Sequence, residues 1–135
     1  MTSVAIAAED FANPLLRPSP LPHEYPLFDR IKDEHFTPAF ELGMEEQLQE
    51  VAAIADNAAA PTTANTLIAL ERSGQLLGRV QRTFSNLAGA NSNDALRAVE
   101  RTMAPKLAAH ADAIQLNARL FERIDTLHRR RDQLG

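Results

Sequence analysis

Residues 65–91, NTLIALERSGQLLGRVQRTFSNLAGAN, carry an apolar or small residue at steps of three and four. These positions are Leu67, Leu70, Gly74, Leu77, Val80, Phe84 and Leu87. Such steps return to one side of an α-helix, so the stretch predicts a single long amphipathic helix. Because this stripe holds no nucleophile, metal ligand or phosphate-binding loop, we interpret it as a packing surface. Gly74 on the stripe predicts close approach to a neighbouring helix, with a kink as the alternative.

Composition favours one helical domain. The chain has 135 residues, of which 44% are hydrophobic and 5% aromatic. Much of the apolar fraction is Ala, which favours close-packed helices over a sheet of β-branched and aromatic residues. The formal net charge is −4. A nucleic-acid partner would require a surplus of basic residues, so none is expected. The absence of Cys excludes disulfides and thiolate metal sites.

The N-terminal residues and the length of the apolar runs indicate where in the cell the protein is expected. The first residues, MTSVAIAAEDF, lack a basic region followed by a long apolar run, so no signal peptide is predicted. No run approaches the ~18 apolar residues of a membrane span. We therefore expect a soluble, cytoplasmic protein without a membrane partner.

An extended arm over residues 1–36 is expected to precede a helical body over residues 37–135. Five of the eight prolines lie in the arm, and each removes a backbone donor and disfavours helix in the residue before it. The arm is nevertheless too apolar for a disordered tail, so we expect it to pack on the helices. Residues 1 to about 12 are expected to be mobile.

Four helices are predicted, and short turns between them favour an all-α antiparallel bundle or a stack of helical hairpins. The first begins with Thr37 as N-cap and Pro38 at the first helical position. Its buried stripe is Phe40, Met44, Leu48, Val51 and Ile54 or Ala55. The second begins at 61–63 and continues into the long helix, which ends at a turn over 89–93.

The third and fourth predicted helices complete the body. The third covers about 94–115 and should be bent by Pro105. Its stripe is Leu96, Val99, Met103, Leu107, His110 and Ile114. Asn117 is predicted to cap the fourth helix, whose apolar residues are Leu120, Phe121, Ile124, Leu127 and Leu134.

The histidines do not form a recognisable catalytic or metal site. His23 and Glu24 begin like the zinc-peptidase motif H-E-x-x-H, but the second His position is Leu27 and Pro26 would break the required helix. His35 is interpreted as a helix-entry side chain, and His110 as a hydrogen-bonded core or boundary histidine. No catalytic, cofactor-binding or metal-binding residue is therefore predicted.

Two charged clusters have simple interpretations. Glu41, Glu45, Glu46 and Glu50 are expected to form a solvated helix face. His128 and Arg129–Arg131 lie where cations favour a helix C-terminus. The basic run could also bind an anion, so an anion-binding regulatory module stays open as an alternative.

Several segments resemble the N-terminal region of one enzyme family. They are NPLL at 13–16, LPHEYPLFDRIKDEHFTPAFELGM at 21–44, PTTANTLIALERSGQLLGRVQRTFSNLAGANSND at 61–94 and APKLAAHADAIQLNARLFERIDTL at 104–127. In this order they closely resemble thimet oligopeptidase-like zinc metallopeptidases, in particular the bacterial peptidyl-dipeptidase (dipeptidyl carboxypeptidase) and oligopeptidase A branch.

This resemblance implies a fragment of a larger helical enzyme. Family members fold as two halves around a deep channel, and their zinc ligands would lie downstream of this sequence. The segment would form part of the channel wall, with the downstream catalytic domain as its partner and short peptides as the substrates of the parent. No catalytic or zinc-binding residue of the family maps onto these positions.

A stand-alone helical interaction module without enzymatic activity is the main alternative. If the chain is a fragment, apolar side chains meant for downstream partners should be exposed or covered by another copy of the chain. Such self-association is expected to involve the third or the fourth helix, and the best candidate is the fourth, with Leu120, Ile124, Leu127 and Leu134.

Overall fold

The computed structural model describes residues 13–91 and 93–131, without the side chain of Asn91. This part of the chain is helical and contains no strand, as the sequence predicts. The main helices are α1 (Phe36–Ala55), α3 (Gln75–Asn91), α4 (Asp94–Gln115) and α5 (Ala118–Arg129), with a short α2 (Ala69–Arg72) between α1 and α3. None of the described helices is long and apolar enough to cross a membrane.

Helix α1 is the centre of the fold, because α3, α4 and α5 all pack against it. Helix α3 runs antiparallel to α1, since Gly43 adjoins Leu77 whereas Phe36, at the start of α1, contacts Phe84 further along α3. Helix α4 runs in the same direction as α1: Lys106 pairs with Glu41 near the start of α1, and His110 contacts Gln47 further along.

The predicted single helix over 65–91 is wrong. Residues Thr63–Ile68 form a π-helix that leads into α2, the chain is extended at Ser73, and Gly74 has a φ of 71° before α3 begins. Only glycine adopts this left-handed conformation without strain, so the kink alternative at Gly74 is the correct one. A Cβ at Gly74 would also lie 2.5 Å from Gln47 Nε2. Leu67, before the break, is 42% exposed.

The close helix contact predicted for Gly74 occurs at Gly43 instead. A Cβ at Gly43 would lie 2.9 Å from the backbone Cα of Leu77, so α1 and α3 approach at a distance that only glycine permits. The core around this crossing joins both helices to α4 and to Leu15 of the arm. Its buried members are Leu15, Phe36, Ala39, Phe40, Leu76, Leu77, Val80, Phe84, Leu96 and Met103.

The first predicted helix is present, but it begins at Phe36, before the predicted N-cap Thr37. The chain enters α1 through a 3₁₀ turn, Asp33–His35, so Thr37 and Pro38 lie inside the first helical turn. Pro is tolerated there because the first helical N–H groups have no intrahelical partner. His35 is at the helix entry, as predicted, and its Nδ1 accepts a hydrogen bond from the backbone N–H of Lys32. Leu48 is 40% exposed and does not belong to the buried stripe.

The arm from residue 13 onward contains two further 3₁₀ turns, Pro14–Leu16 and Pro22–Glu24, each beginning at a proline. Leu15 is only 2% exposed, whereas Tyr25 is 63% exposed. The arm therefore contributes one residue to the core and covers part of α3. The mobility expected for residues 1–12 lies outside the described residues.

The last two helices follow the sequence prediction closely. Leu96, Met103 and His110 of α4 are buried, and α4 continues through Pro105. Asn117 caps α5, because its side chain accepts a hydrogen bond from the N–H of Leu120. Phe121, however, is 64% exposed and does not face the core. Leu134 lies outside the described residues.

Candidate functional site

A groove of about 560 Å³ lies between the second half of α3 and the first part of α4. It exists because both helices pack on α1 but make few contacts with each other. Its apolar lining is Phe40, Phe84, Ala88, Gly89, Met103, Ala104 and Leu107, and its polar edge is Gln81, Ser85 and Glu100. Small residues on the two walls leave the space between the helices open.

The aromatic rings of Phe40 and Phe84 lie on the floor of this groove, and the ring of Phe36 packs against both. Phe36 and Phe40 follow one another by four residues on α1, and Phe84 lies across from both on α3. The ring of Phe84 stands edge-on to Phe36 at 5.1 Å and to Phe40 at 5.5 Å between centroids. Edge-to-face packing at these distances adds to the stability gained from burial, so the floor is rigid. Such a groove can accept apolar side chains, and it offers no nucleophile or paired acid and base.

A half-buried polar seam crosses the helices beside the break at Gly74. The Gln47 amide nitrogen donates to Ser73 Oγ at 3.2 Å, and Gln47 Oε1 lies 2.6 Å from His110 Nε2. Since this amide oxygen can only accept, His110 carries its proton on Nε2. The backbone N–H of Gly74 donates to Glu50 Oε1 at 3.2 Å. The seam therefore fixes the chain break against both α1 and α4.

His110 is a hydrogen-bonded core histidine, as predicted. It is 8% exposed, and burial lowers the pKa of its imidazole below the ordinary value. Its Nδ1 is buried without a hydrogen-bond partner in the described part of the chain. Protonation of Nδ1 would place a buried N–H there without an acceptor, so the unprotonated Nδ1 is favoured.

Arg123 is a buried arginine that the sequence pattern does not reveal. It is 8% exposed, and its Nη1 donates to the carbonyl oxygens of Asn57 and Ala59 at 2.9 and 3.0 Å. Its Nη2 donates to Asn65 Oδ1 at 3.1 Å. The same Asn65 oxygen accepts the backbone N–H of Thr62 in a capping box at the start of the π-helix. Arg123 thus attaches the 57–65 connection to α5.

The predicted charged clusters are partly engaged in contacts. Glu50 accepts the Gly74 N–H and Glu41 pairs with Lys106, so the acidic face of α1 is not simply solvated. Arg129 pairs with Asp125, and Arg131 lies 3.1 Å from His128. Arg129 and Arg131 of the basic cluster thus have partners on α5. Anion binding by the cluster stays a prediction.

The structure does not support a zinc site at His23 and Glu24. Both residues have positive φ, 58° and 56°, in a 3₁₀ turn rather than in the α-helix that the motif requires. Across residues 13–91 and 93–131, no group of three or more His, Asp or Glu side chains is placed to hold a metal ion.

A second, polar cavity of about 540 Å³ lies at the start of α3. Its charged lining consists of Arg79 and Arg82 opposite Glu24 and Glu71. Burial lowers the pKa of Arg79, and the neighbouring Glu24 and Glu46 act in the opposite direction. Because the charges balance, the cavity favours neither an anion nor a cation.

Known proteins similar to the chain are peptidases. No protein-family model matches the sequence. The chain is 45% identical over 123 residues to the dipeptidyl carboxypeptidase of Salmonella typhimurium, and 43% identical over 123 residues to that of Escherichia coli. Each match covers 91% of this chain but only 18% of the relative. Over most of its length, the chain is thus similar to a segment that makes up 18% of a dipeptidyl carboxypeptidase.

Proposed function

We propose that this chain is a non-catalytic, N-terminal helical segment of a zinc metallopeptidase that releases dipeptides from the C-termini of short peptides. The observation that carries this proposal is the identity of 45% over 123 residues to the Salmonella enzyme. Both matching relatives bear the name dipeptidyl carboxypeptidase. Membership of the oligopeptidase A branch, like a cytoplasmic location, stays a prediction from sequence.

The chemistry of the described residues is consistent with a supporting role. Their buried polar groups hold helices and connections together: His110 and Gln47 join α4 to α1, and Arg123 joins α5 to the 57–65 connection. The catalytic zinc of the parent would be bound by residues other than those described here.

Within the parent enzyme, we assign the groove between α3 and α4 to the wall of the substrate channel. Its floor of Phe40, Phe84 and Met103 is apolar, and Gln81 and Ser85 at its edge can form hydrogen bonds. Peptides present both apolar side chains and backbone amides, so this combination suits a surface along which they bind.

A chimera tests the proposal. The matched segment of the Salmonella enzyme is replaced by this chain, and dipeptide release from a short peptide is measured. We expect an active chimera, and no cleavage by the isolated 135-residue chain with or without zinc. The corresponding chimera with the Escherichia coli segment controls for the exchange itself. If that control folds and cleaves while the chimera with this chain does not, the proposed function is wrong and a stand-alone module is favoured.

The same chimera tests the channel-wall assignment. Ser85→Trp places a bulky ring at the edge of the groove, and we expect it to lower kcat/KM for peptide cleavage. Asn86→Trp is the matched control, because Asn86 is exposed on the same turn but does not line the groove. Equal kcat/KM for the two variants would contradict the assignment of the groove to the channel.

A further inference from the structure

The corner between α4 and α5 exposes two large apolar side chains. Leu116 is 81% exposed and Phe121 is 64% exposed, the highest values for large apolar residues in the described part of the chain. The corner is well ordered by hydrogen bonds, since the Leu116 N–H donates to Asp112 O at 2.8 Å and Asn117 caps α5. The two side chains therefore project from a fixed corner and not from a long loop.

The outer face of α4 continues this apolar surface. Ala98, Thr102, Pro105, Ala109, Ala113 and Leu116 follow one another at steps of three and four, and all are exposed. This stripe itself is uncharged, but the exposed residues Arg101 and Asp112 flank it on one side and Lys106 flanks it on the other, so it is a narrow strip within a mixed helix surface. Small side chains at successive turns also allow another element to approach the helix closely.

Two of the charged side chains near this strip form ion pairs with residues on α1 or just beyond its end. Lys106 pairs with Glu41 on α1, and Arg119 pairs with Asp56 just beyond the end of α1. Both contacts lead back to the central helix.

We propose that the corner surface, defined by Pro105, Ala109, Ala113, Leu116 and Phe121, packs against the remaining polypeptide of the longer peptidase. This inference rests on the proposed function. A match over 123 of the 135 residues includes the corner, and it corresponds to only 18% of each relative. The polypeptide outside the matched segment of such a protein is thus the partner that would cover the corner surface. Of the side chains predicted from sequence for such a contact, Leu120 and Leu127 are buried within this chain, Ile124 is partly buried, and Leu134 lies outside the described residues.

Cysteine labelling tests the surface, because the natural sequence contains no Cys. Leu116→Cys and Phe121→Cys are compared with Tyr25→Cys, whose parent side chain is 63% exposed on the arm. The rate of modification by a maleimide is measured in the isolated chain and in the Salmonella chimera, with the native cysteines of that enzyme replaced. A covered thiol reacts only after local opening, so we expect at least about tenfold slower labelling of the two corner variants in the chimera. Tyr25→Cys should react at the same rate in both.

The outcomes separate this inference from the proposed function. Equal labelling of the corner variants in an active chimera would refute the surface and leave the function standing. An inactive chimera, with the Escherichia coli control active, would refute the function, and the surface proposal would fail with it. Protection that already appears in the isolated chain and increases with its concentration would show that a second copy covers the corner, which would also overturn the proposal.

Discussion

Replacement of Arg123 by Met should destabilise this protein far more than the same replacement one helical turn away. Met resembles Arg in length and has a similar helix propensity, so α5 itself should be little affected. The substitution removes the hydrogen bonds to Asn57 O, Ala59 O and Asn65 Oδ1. The 57–65 connection then loses its attachment to α5.

The magnitude follows from these contacts. Hydrogen bonds from a charged donor contribute roughly 1.5–3 kcal/mol each when measured singly. Their sum is an upper limit, because removal of Arg123 also relieves the desolvation of a buried cation and water can reach the released carbonyl groups. We expect a loss of about 2–4 kcal/mol in the free energy of unfolding. With a urea m-value of about 2 kcal/mol/M, the unfolding midpoint should fall by about 1–2 M.

Urea unfolding followed by circular dichroism measures this loss, and Arg119→Met is the matched control. Arg119 is on the same helix but exposed, and its ion pair with Asp56 lies in solvent. The control should unfold close to the wild-type midpoint. Hydrogen exchange should also become faster at residues 57–66 in Arg123→Met alone. If Arg123→Met is no less stable than Arg119→Met, the three hydrogen bonds do not support the connection and the reasoning is refuted.

Two further substitutions test the chain break and the buried histidine. Gly74→Ala should lower the free energy of unfolding by about 1–3 kcal/mol, because Gly74 has a φ of 71° and a Cβ there would lie 2.5 Å from Gln47 Nε2. Gly89→Ala, where a Cβ meets no atom within 4 Å, should leave stability unchanged or slightly raised, and a stable Gly74→Ala would contradict the assigned backbone conformation. His110 has a pKa lowered by burial, so the unfolded chain binds the proton more readily and stability should fall as the pH drops below about 6.5. This pH dependence of the free energy of unfolding has a slope of at most about 1.4 kcal/mol per pH unit. Thermal unfolding between pH 7.5 and 5 should show it in the wild type and not in His110→Gln. An identical pH profile for the two proteins would show that His110 does not titrate in this window.

The sequence alone determined the fold class and most of the helical segments. The apolar stripe of α4, with Leu96, Met103 and His110 buried, follows directly from steps of three and four residues. The cap at Asn117 was also predictable, because a side-chain oxygen at this position satisfies N–H groups that the helix leaves free. Local signals of this kind depend only on neighbours within a few residues.

The tertiary structure decided the features that depend on distant partners. Periodicity continues across Gly74, so the pattern could not reveal that the chain takes a left-handed conformation there and is fixed by Gln47 and Glu50 of α1. Arg123 looks like an ordinary surface arginine of α5, and only the carbonyl groups of the 57–65 connection make its burial favourable.

Phe121 shows the converse of Arg123, because it looked like a core residue in the sequence and is exposed in the structure. Sequence placed it with the core residues of α5, yet its side chain is 64% exposed while Arg123 is buried. Which side of a short helix faces the core depends on the elements that pack against it, here α1 and the 63–68 π-helix. The pattern of one helix states that an apolar side exists, but the orientation of that helix in three dimensions decides which residues are covered.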